Sequence, residues 1–416
     1  MIEYDVIIIG GGAAGLMAAV RAASKKAKVL ILEKMTQTGR KLSITGKGRC
    51  NITNTASIPD FINKFGDNGK FLRQSFARFF SDDLVKLLNS LGVETVIERG
   101  GRVFPVNNDA KKVVKALVQW VKDSGVTIWN DAEVAKLLIK SNKITGLKLT
   151  DGRSLLCHKV IIATGGASYP ATGSTGAGYR LASSAGHTII PIRPALVPLI
   201  TSGHNAKKLQ GLGLKNVLVK VIIDGKKKKE DFGEMLFTHF GLSGPVILTL
   251  SRIVVDALRE KQKVMISIDL KPALDDQKLD ARLLRDFTEH GKQQFQSILK
   301  GLLPQKMIQV CIDETGIDPD KTGNHITVLE RKKLRLWLKD FRFEVTDHRS
   351  FYEAVITAGG VSTKEINPKT MESKLVKGLY FAGEVIDIDG ETGGFNLQAA
   401  FSTGWLAGDN IVEQAK

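Results

Sequence analysis

The pattern of apolar and polar positions predicts a βαβ unit at the start of the chain. YDVIIIG, followed by GGAAGLMAAVRAASKKAKVLILEK, predicts a buried strand, a glycine turn, an Ala-rich helix and a second strand. HKVIIATGG (His158 to Gly166) is a continuous β-branched run, typical of a central strand covered on both faces. Before it, AEVAKLLIKSNKITGLKLTDGRSLLCHK alternates around a turn and predicts a small antiparallel meander. These patterns indicate an α/β protein with a Rossmann-type sheet.

The pattern changes near Pro191, which predicts a domain boundary there. PIRPALVPLI has three prolines in eight residues, and helices and central strands avoid proline. Residues 191–274 then alternate in short runs and predict mostly β structure, whereas residues 275–343 repeat apolar positions every three or four residues and predict helices. Residues 344–416 return to strand, glycine turn and the helix FNLQAAFSTGWLAGDNIV.

Composition excludes several classes of protein. At 416 residues, with 43% hydrophobic and 25% charged residues, the chain is an ordinary globular one. No apolar run reaches the roughly 18 residues that cross a bilayer, so we expect no membrane association. Three scattered cysteines fit neither a disulfide framework nor a zinc site; we therefore expect a cytoplasmic protein without a bound metal. The net charge of +17 is the one outlier and would attract polyanions.

The first motif with chemistry is the glycine turn GGGAAG, which has the GxGxxG spacing of dinucleotide-binding proteins. Gly10 permits the tight turn, Gly12 lets a pyrophosphate approach the backbone, and Gly15 permits close helix packing. The amides of Ala13 and Ala14 open the helix and would face the phosphates. Glu33, eighteen residues beyond Gly15 and next to Lys34, would accept hydrogen bonds from the ribose hydroxyls.

Two further motifs favour FAD over NAD. IIATGG ends a strand in small residues, and we expect Ala163, Thr164 and Gly165 to pass the dinucleotide. LYFAGEVIDIDGETGGFNLQAAFSTG resembles the second FAD motif of glutathione-reductase-like flavoproteins, which implies that an acidic residue holds the ribityl chain and that the last helix points at the flavin ring. The corresponding residues here are Gly383 with Glu384 or Asp387 for the ribityl chain, and the amides near Phe395, Asn396 and Leu397 for the ring.

GRKLSITGKGRCNITN (Gly39 to Asn54) combines four cations, three glycines and several hydroxyls, and is a third candidate segment. We expect Arg40 and Lys41 near the phosphates, and the stretch from Gly46 to Asn51 near the ring. A solvated basic loop is the alternative. The cofactor-binding residues predicted from this part of the chain and from the start of the meander are Arg40, Lys41, Gly46, Arg49, Cys50, Asn51 and Val134.

The chain resembles the BaiN/YhiN-type flavoproteins, also labelled aminoacetone-oxidase-family FAD-binding enzymes, nearly from end to end. The resemblance rests on the segments IIIGGGAAGLMAA, GRKLSITGKGRCNITN, IIATGGASYPATGSTGAGY, LFTHFGLSGPVIL, TAGGVSTKEINPKTMESK and GLYFAGEVIDIDGETGGFNLQAAFSTG. It implies a glutathione-reductase-like FAD domain, formed by residues 1–190 and 344–416. An insertion from about Pro191 to Phe343 would interrupt it, with a small β-barrel over 191–274 and a helical part over 275–343.

The resemblance leaves the reaction open, because members of the family are described as amine oxidases, bile-acid reductases and ribosomal RNA dihydrouridine synthases. Charge favours RNA: residues 193–342 hold 27 Lys and Arg against 18 Asp and Glu, and the other 266 residues hold 33 against 25. The predicted insertion, with its run from Lys226 to Lys229, is thus nearly twice as basic per residue, as a phosphate-binding surface would be. A solvated charged surface is the alternative.

The leading hypothesis is reduction of a uracil in ribosomal RNA. Reduced FAD would pass a hydride to C6 while an acid protonates C5, after NADPH or NADH had reduced the flavin. The candidate acids are Cys50 and His239, although a buried, inert thiol and a structural histidine are the ordinary alternatives. The rival functions are an oxidase or reductase of a small amine or enone, and an RNA-binding factor with a structural FAD. The oligomeric state stays open.

Overall fold

The computed structural model describes residues 4–411, which form two compact units. The first comprises the chain up to Pro194 together with the chain from Phe351 onward, and the second is Ala195–Ser350. The strands are β1 Val6–Ile9, β2 Val29–Leu32, β3 Thr53–Asn54, β4 Thr95–Glu98, β5 Arg102–Pro105, β6 Thr127–Trp129, β7 Val134–Lys140, β8 Lys143–Leu149, β9 Ser154–Leu156, β10 Lys159–Ile162, β11 Ile189–Ala195, β12 Leu199–Thr201, β13 Gly213–Ile223, β14 Lys226–Phe237, β15 Gly241–Ser243, β16 Val264–Asp269, β17 Phe341–His348, β18 Ile356–Val361 and β19 Leu379–Phe381. The helices are α1 Ala13–Ala23, α2 Arg40–Ile44, α3 Ile58–Lys64, α4 Arg73–Arg78, α5 Ser81–Ser90, α6 Ala110–Asp123, α7 Ala177–Ser184, α8 Asn205–Lys208, α9 Pro245–Arg259, α10 Asp276–Glu289, α11 Phe295–Ile298, α12 Gln305–Thr315, α13 Val328–Lys339 and α14 Phe395–Ile411.

The first unit is built on a parallel sheet with the strand order β19-β10-β1-β2-β6. β1 lies at its centre, with Val6 opposite Val29 on one side and Lys159 on the other. All four residues of β1 are buried, which explains why this strand is apolar throughout instead of alternating. β19, from the C-terminal part of the chain, pairs with β10 and completes the Rossmann-type sheet that the sequence predicts.

Three smaller sheets flank this core within the first unit. The predicted meander is confirmed as the antiparallel sheet β7-β8-β9. A second antiparallel sheet, β3-β5-β4, follows the segment from Gly39 to Asn54, and β11 pairs with β18 in a two-stranded sheet. The sheet β3-β5-β4 had no counterpart in the sequence prediction, because its strands are only two to four residues long.

The helices α1 and α14 join the two ends of the chain in one layer. A Cβ atom on Gly404 would lie 2.2 Å from the carbonyl oxygen of Ala14, and one on Gly408 would lie 2.4 Å from that of Ala18. Both distances are far below van der Waals contact, so only glycine lets the two helix backbones approach this closely. α14 is correspondingly buried around most of its surface, as its apolar sequence predicts.

The second unit is a closed barrel with the strand order β12-β15-β14-β13-β16-β17, together with α8 to α13. A small barrel was expected, but its predicted limits of 191–274 were too narrow. The last strand, Phe341–His348, follows the helical part, and it pairs with both β16 and β12. A barrel closes only when its last strand finds the edge of its first, so β17 belongs to the barrel.

The limits of the insertion also differ from the prediction. The second unit begins at Ala195 instead of Pro191 and ends at Ser350 instead of Phe343. Pro191 lies inside β11, because a strand with a single neighbour tolerates a residue that has no amide hydrogen. With these limits the second unit holds 27 Lys and Arg against 20 Asp and Glu in 156 residues, a net charge of +7. The rest of the chain carries +10 in 260 residues, so the insertion is not nearly twice as basic.

The close approach of α1 and α14 leads to a stability prediction. We expect Gly404→Ala to destabilise the protein by about 1–3 kcal/mol, because the new methyl group meets backbone atoms that cannot rotate away. This exceeds the roughly 1 kcal/mol that alanine gains in helix propensity. Urea denaturation followed by circular dichroism measures the difference.

Gly301→Ala is the matched control, since no atom of the described residues beyond its own helix and its chain neighbours lies within 4 Å of the added Cβ there. Its unfolding midpoint should stay close to that of the unmodified protein. Equal midpoints for Gly404→Ala and the control would contradict the packing argument.

Candidate functional site

The glycine turn at the end of β1 is shaped by close backbone contacts. Gly10 has φ +104°, and a Cβ there would lie 2.6 Å from the carbonyl oxygen of Ala163. A Cβ on Gly15 would lie 2.0 Å from the oxygen of Gly10, so α1 must begin directly against the turn. At Gly12, by contrast, no atom of residues 4–411 apart from Gly12 itself and its two chain neighbours lies within 4 Å of a built Cβ. The turn is therefore tight on its inner side and open at Gly12.

The first turn of α1 fits an anionic group. Gly12 is its N-cap, with extended backbone and no side chain to bond the first amides. Those amides, including the ones of Ala13 and Ala14, have no acceptor within the helix, and they carry the positive end of its dipole. The open space at Gly12 lets a pyrophosphate approach them.

Glu33 lies at the end of β2 beside this turn. Its Oε2 accepts a hydrogen bond from the amide of Gly11 at 2.9 Å, and its Oε1 accepts one from the amide of Met35 at 2.9 Å. The carbonyl of Glu33 accepts from the amide of Ala132, which leads into the meander at Val134. Two amides thus orient the carboxylate next to the glycine turn, in the position expected for a ribose-binding residue.

The segment from Gly39 to Asn54 meets the start of α14. With its amide oriented to satisfy both partners, Asn51 accepts from the amide of Gly394 at 3.0 Å. Asn54 donates to the carbonyl of Gly393 at 3.0 Å, and Thr53 donates to Gln398 at 2.6 Å. These bonds hold the segment from Gly39 to Asn54 against α14, which comes from the C-terminal part of the chain.

An ion pair lies where four parts of the first unit meet. The Nζ of Lys41 lies 2.7 Å from Oε2 of Glu384 and 2.5 Å from Oγ of Ser168. The other carboxylate oxygen of Glu384 accepts from the amide of Thr357 at 2.7 Å and from Ser168 at 3.2 Å. Burial and the charge of Glu384 raise the pKa of Tyr179, whose hydroxyl donates to the backbone carbonyl of Glu384 at 3.4 Å, so this hydroxyl stays protonated. Three donors thus hold the carboxylate of Glu384, and one of them is the ammonium of Lys41.

The chain after β10 and the start of α14 lie next to these residues. We call the glycine turn after β1, the segment from Gly39 to Asn54, the chain after β10 and the start of α14 the cradle. Gly165, at φ +70°, passes beside Ser174 and Glu384, directly after Ala163 and Thr164. At the other end, the side chain of Asn396 accepts from the amide of Gly390 and donates to its carbonyl, which fixes the loop before the helix. Phe395 packs edge-on against Phe61, with ring centres 4.7 Å apart, and Leu397 follows in the first turn.

The remaining predicted cofactor residues are placed as follows. Arg49 pairs with Glu98, donates to Asn108 at 2.7 Å and lies 4.2 Å from the centre of the Phe104 ring. The Nζ of Lys34 donates to Thr175 at 2.7 Å. Gly46 has φ +59°, next to the amide of Asn51. Arg40 opens α2 next to Lys41, and Val134 is buried at the start of β7.

The two candidate acids differ sharply in exposure. Cys50 has no exposed surface, and burial raises the pKa of its thiol to about 11. His239 lies in the second unit, in the exposed turn between β14 and β15, with its ring edge-on to Phe240. A substrate atom can reach the histidine in this structure but not the thiol.

Sequence reasoning missed Ser168 and Thr357, which donate hydrogen bonds to Glu384. Both stand inside motifs quoted above, but nothing in their spacing links them to Glu384.

The predicted basic run from Lys226 to Lys229 is partly neutralised. It begins β14, directly after a tight turn, and its side chains are exposed. Lys227 lies 3.3 Å from Glu230, and Glu230 also faces Lys220 across the hairpin. The run therefore carries less unbalanced charge than its sequence suggests.

The described part of the chain contains neither a membrane-spanning helix nor a metal-binding group of side chains. Among residues 4–411, no helix is long and apolar enough to cross a bilayer. Within the same residues, no group of three or more His, Cys, Asp or Glu side chains is arranged to hold a metal ion.

Comparison with known proteins identifies close relatives over the full length. The family model described as HI0933-like protein Rossmann domain matches residues 4–410. A 3-dehydro-bile acid delta(4,6)-reductase of Clostridium scindens is 32% identical over 409 residues, which cover 98% of each chain. A ribosomal RNA dihydrouridine synthase of Escherichia coli is 32% identical over 413 residues, which cover 99% of each.

A solved structure shares the fold at much lower identity. The 3-ketosteroid delta1-dehydrogenase of Sterolibacterium denitrificans superposes with a TM-score of 0.53 at 13% identity, covering 98% of this chain and 99% of that one. At this identity the likeness shows a common fold.

The ion pair between Lys41 and Glu384 leads to a prediction about cofactor binding. We expect Lys41→Met to weaken FAD binding at least about tenfold, because Glu384 loses the cation that holds it between Ser168 and Thr357. Titration of the apoprotein with FAD, followed by flavin fluorescence, measures the dissociation constant.

Lys208→Met is the control, because it removes an exposed ion pair of similar length, 2.8 Å, from the second unit. Pairs of that kind contribute little, and FAD binding should not change. An unaltered FAD dissociation constant for Lys41→Met would show that the pair does not organise the site.

Proposed function

The chain belongs to the HI0933-like Rossmann family and is an FAD-dependent oxidoreductase, and we propose that it reduces a uridine of ribosomal RNA to dihydrouridine. The observation that carries the proposal is the convergence, in one unit, of the first turn of α1, the first turn of α14 and the segment from Gly39 to Asn54. These parts form a cradle with the donors that a dinucleotide and a flavin ring require.

In the proposed reaction, NADPH or NADH provides the hydride and thereby the two electrons that reduce the uracil. Uridine, a proton and NADPH or NADH give dihydrouridine and the oxidised nicotinamide. C6 of the uracil receives a hydride and C5 a proton. Bound FAD would provide the hydride-transfer chemistry that links the nicotinamide to C6. The amides of Phe395, Asn396 and Leu397 would stabilise negative charge at the pyrimidine edge of the ring.

The names of the two relatives support a common type of chemistry. Both the delta(4,6)-reductase and the dihydrouridine synthase are named for adding hydrogen across a carbon–carbon double bond. A double bond conjugated to a carbonyl is electron-poor and accepts a hydride. The second candidate is therefore reduction of a small enone, which the equal identity of the bile-acid relative favours.

Charge favours RNA over the small molecule. The chain carries a net charge of +17, distributed over both units. Each phosphate that a lysine or arginine neutralises releases counterions, so a structured RNA gains affinity from this field and an uncharged enone does not. A uracil inside folded RNA must also be unstacked before it can lie against a flavin, which requires a broad contact surface.

Burial argues against Cys50 as the donor of the proton to C5, and His239 is the other acid that the sequence predicts. A general acid must come within hydrogen-bond reach of the atom that it protonates. Cys50 has no exposed surface and a pKa of about 11, whereas the imidazole of His239 is exposed. We assign Cys50 a packing role in the hydrophobic core of the first unit.

The decisive test is a modification map of ribosomal RNA. In a strain that lacks the gene, we expect one dihydrouridine to disappear from digested ribosomal RNA analysed by mass spectrometry. Expression of the protein from a plasmid should restore it, and the purified protein should form it in the isolated RNA with NADPH or NADH.

An unchanged map would contradict the RNA proposal. Turnover of NADPH with a small conjugated enone would then support the second candidate. A flavin that neither nicotinamide reduces, in protein that still binds RNA, would identify an RNA-binding factor with a structural FAD.

The proton donor has its own test. We expect His239→Gln to lower the rate of dihydrouridine formation about 10²–10⁴-fold, because the C5 carbanion loses its acid. Reduction of the flavin by NADPH, measured by stopped flow at 450 nm, should not change. Cys50→Ala should keep the rate within a few-fold.

His204→Gln, which alters another exposed histidine of the second unit, is the control and should retain full activity. A normal rate for His239→Gln would exclude it as the donor.

A further inference from the structure

The outer face of the sheet β7-β8-β9 carries paired lysines. Lys136 lies opposite Lys148 on the neighbouring strand, and Lys140 lies opposite Lys143. Directly opposed residues of an antiparallel pair have Cβ atoms about 4.5–5.5 Å apart, and like charges in such positions repel. The face therefore holds two sites of uncompensated positive charge. We call the outward positions of these strands the lysine face.

The register shows that the lysines share one side of the sheet. Leu137 and Leu147 are opposite each other and buried, so the adjacent pair of Lys136 and Lys148 points outward. A register shift after Leu138 restores the alternation, which leaves Ile144 buried and Lys140 and Lys143 exposed. Between the two lysine pairs lies the row formed by Leu138, Gly146 and Leu156, and the last of these is 48% exposed.

The lysine face lacks acidic neighbours of the kind that the run from Lys226 to Lys229 has. Its outward positions on the three strands are Lys136, Leu138, Lys140, Lys143, Gly146, Lys148, Ser154 and Leu156, and none of these described residues is a carboxylate. Asp151, in the turn between β8 and β9, is paired with Arg153. The run from Lys226 to Lys229, by contrast, has Glu230 within its own strand.

The lysine face belongs to the same unit as the cofactor cradle. β7 begins two residues after Ala132, whose amide donates to the carbonyl of Glu33. The inner side of the sheet is buried through Leu137, Ile144 and Leu147, so the face is fixed to the Rossmann core. An anion bound there would be held in a constant relation to the glycine turn.

We propose that the lysine face binds the phosphate backbone of the RNA substrate, an inference that rests on the proposed function. The two lysine pairs lie about 13 Å apart along β7, from a rise of about 3.3 Å per residue, so they can contact separate phosphates of one folded RNA. In the row between them Gly146 is buried and Leu138 is half-buried, so Leu156 is the exposed apolar side chain of that row. A polyanion bound across both pairs offsets the repulsion within each pair and gains affinity by releasing its own counterions. An anionic membrane is the less suitable ligand, because the face has only two leucines and no amphipathic helix to enter a bilayer.

The test is a fourfold variant in which Lys136, Lys140, Lys143 and Lys148 are changed to glutamine. We expect its affinity for purified ribosomal RNA to fall at least about tenfold at moderate salt. The slope of log K against log salt should become shallower by about 0.7–0.9 for each lysine that contacts a phosphate, up to about three for all four. Flavin content and thermal melting check the fold, and the melting temperature should stay equal or rise because the repulsion is removed.

The matched control changes Lys111, Lys112, Lys115 and Lys122 of α6 to glutamine, which lowers the net charge of the same unit by the same amount. It should keep the salt slope and most of the affinity. Equal losses in both variants would overturn the proposal, since net charge alone would then explain binding. If the fourfold variant does not fold, Lys136→Gln with Lys140→Gln, which removes one member of each pair, gives the same comparison.

Two further outcomes separate this inference from the proposed function. Normal RNA affinity in the fourfold variant, with dihydrouridine still formed by the unmodified protein, overturns the lysine face and leaves the reaction intact. Weakened RNA affinity, in a protein that forms no dihydrouridine, supports the lysine face and removes the proposed reaction. Loss of binding to phosphatidylglycerol vesicles, with RNA affinity unchanged, would assign the face to a membrane and overturn the proposal.

Discussion

The contact between α1 and α14 is the constraint on which the rest of the structure depends. The two helices come from opposite ends of the chain, and the backbone of one rests against that of the other through Gly404 and Gly408. Only this close approach brings the glycine turn after β1 and the loop before α14 into one layer. The insertion of Ala195–Ser350 is accommodated because the elements on either side of it return to the same sheet.

Within that layer, polar contacts between distant segments define the cradle. Lys41, Ser168, Thr357 and Glu384 come from four separate parts of the sequence, and together they satisfy one carboxylate and one ammonium. Such a network is stable only when all its members are present, because a partly buried charge without its partner is costly. The same arrangement explains why Glu384 is oriented by the protein before any ligand arrives. Asp387, the other acidic candidate for the ribityl chain, accepts from Asn68 at 3.0 Å.

The distribution of charge bears on where the proposed RNA contact would lie. A run of four consecutive lysines is the most visible basic feature of the sequence, yet its strand also supplies Glu230. The lysines of the meander are scattered along the sequence and become neighbours only through strand pairing. A net positive charge would attract a polyanion, while the register decides where the positive potential is concentrated.

The sequence alone determined the Rossmann core and its glycine turn, because local periodicity and glycine spacing are properties of consecutive residues. It also predicted that Glu33, the segment from Gly39 to Asn54 and the helix α14 belong to one site, and in the structure this segment contacts the start of α14. The barrel was predicted from the resemblance to a known family. The tertiary structure decided the extent of the insertion, the partners of Glu384, the burial of Cys50 and the pairing of the lysines. Each of these depends on contacts between residues far apart in the chain, and no local pattern encodes such contacts.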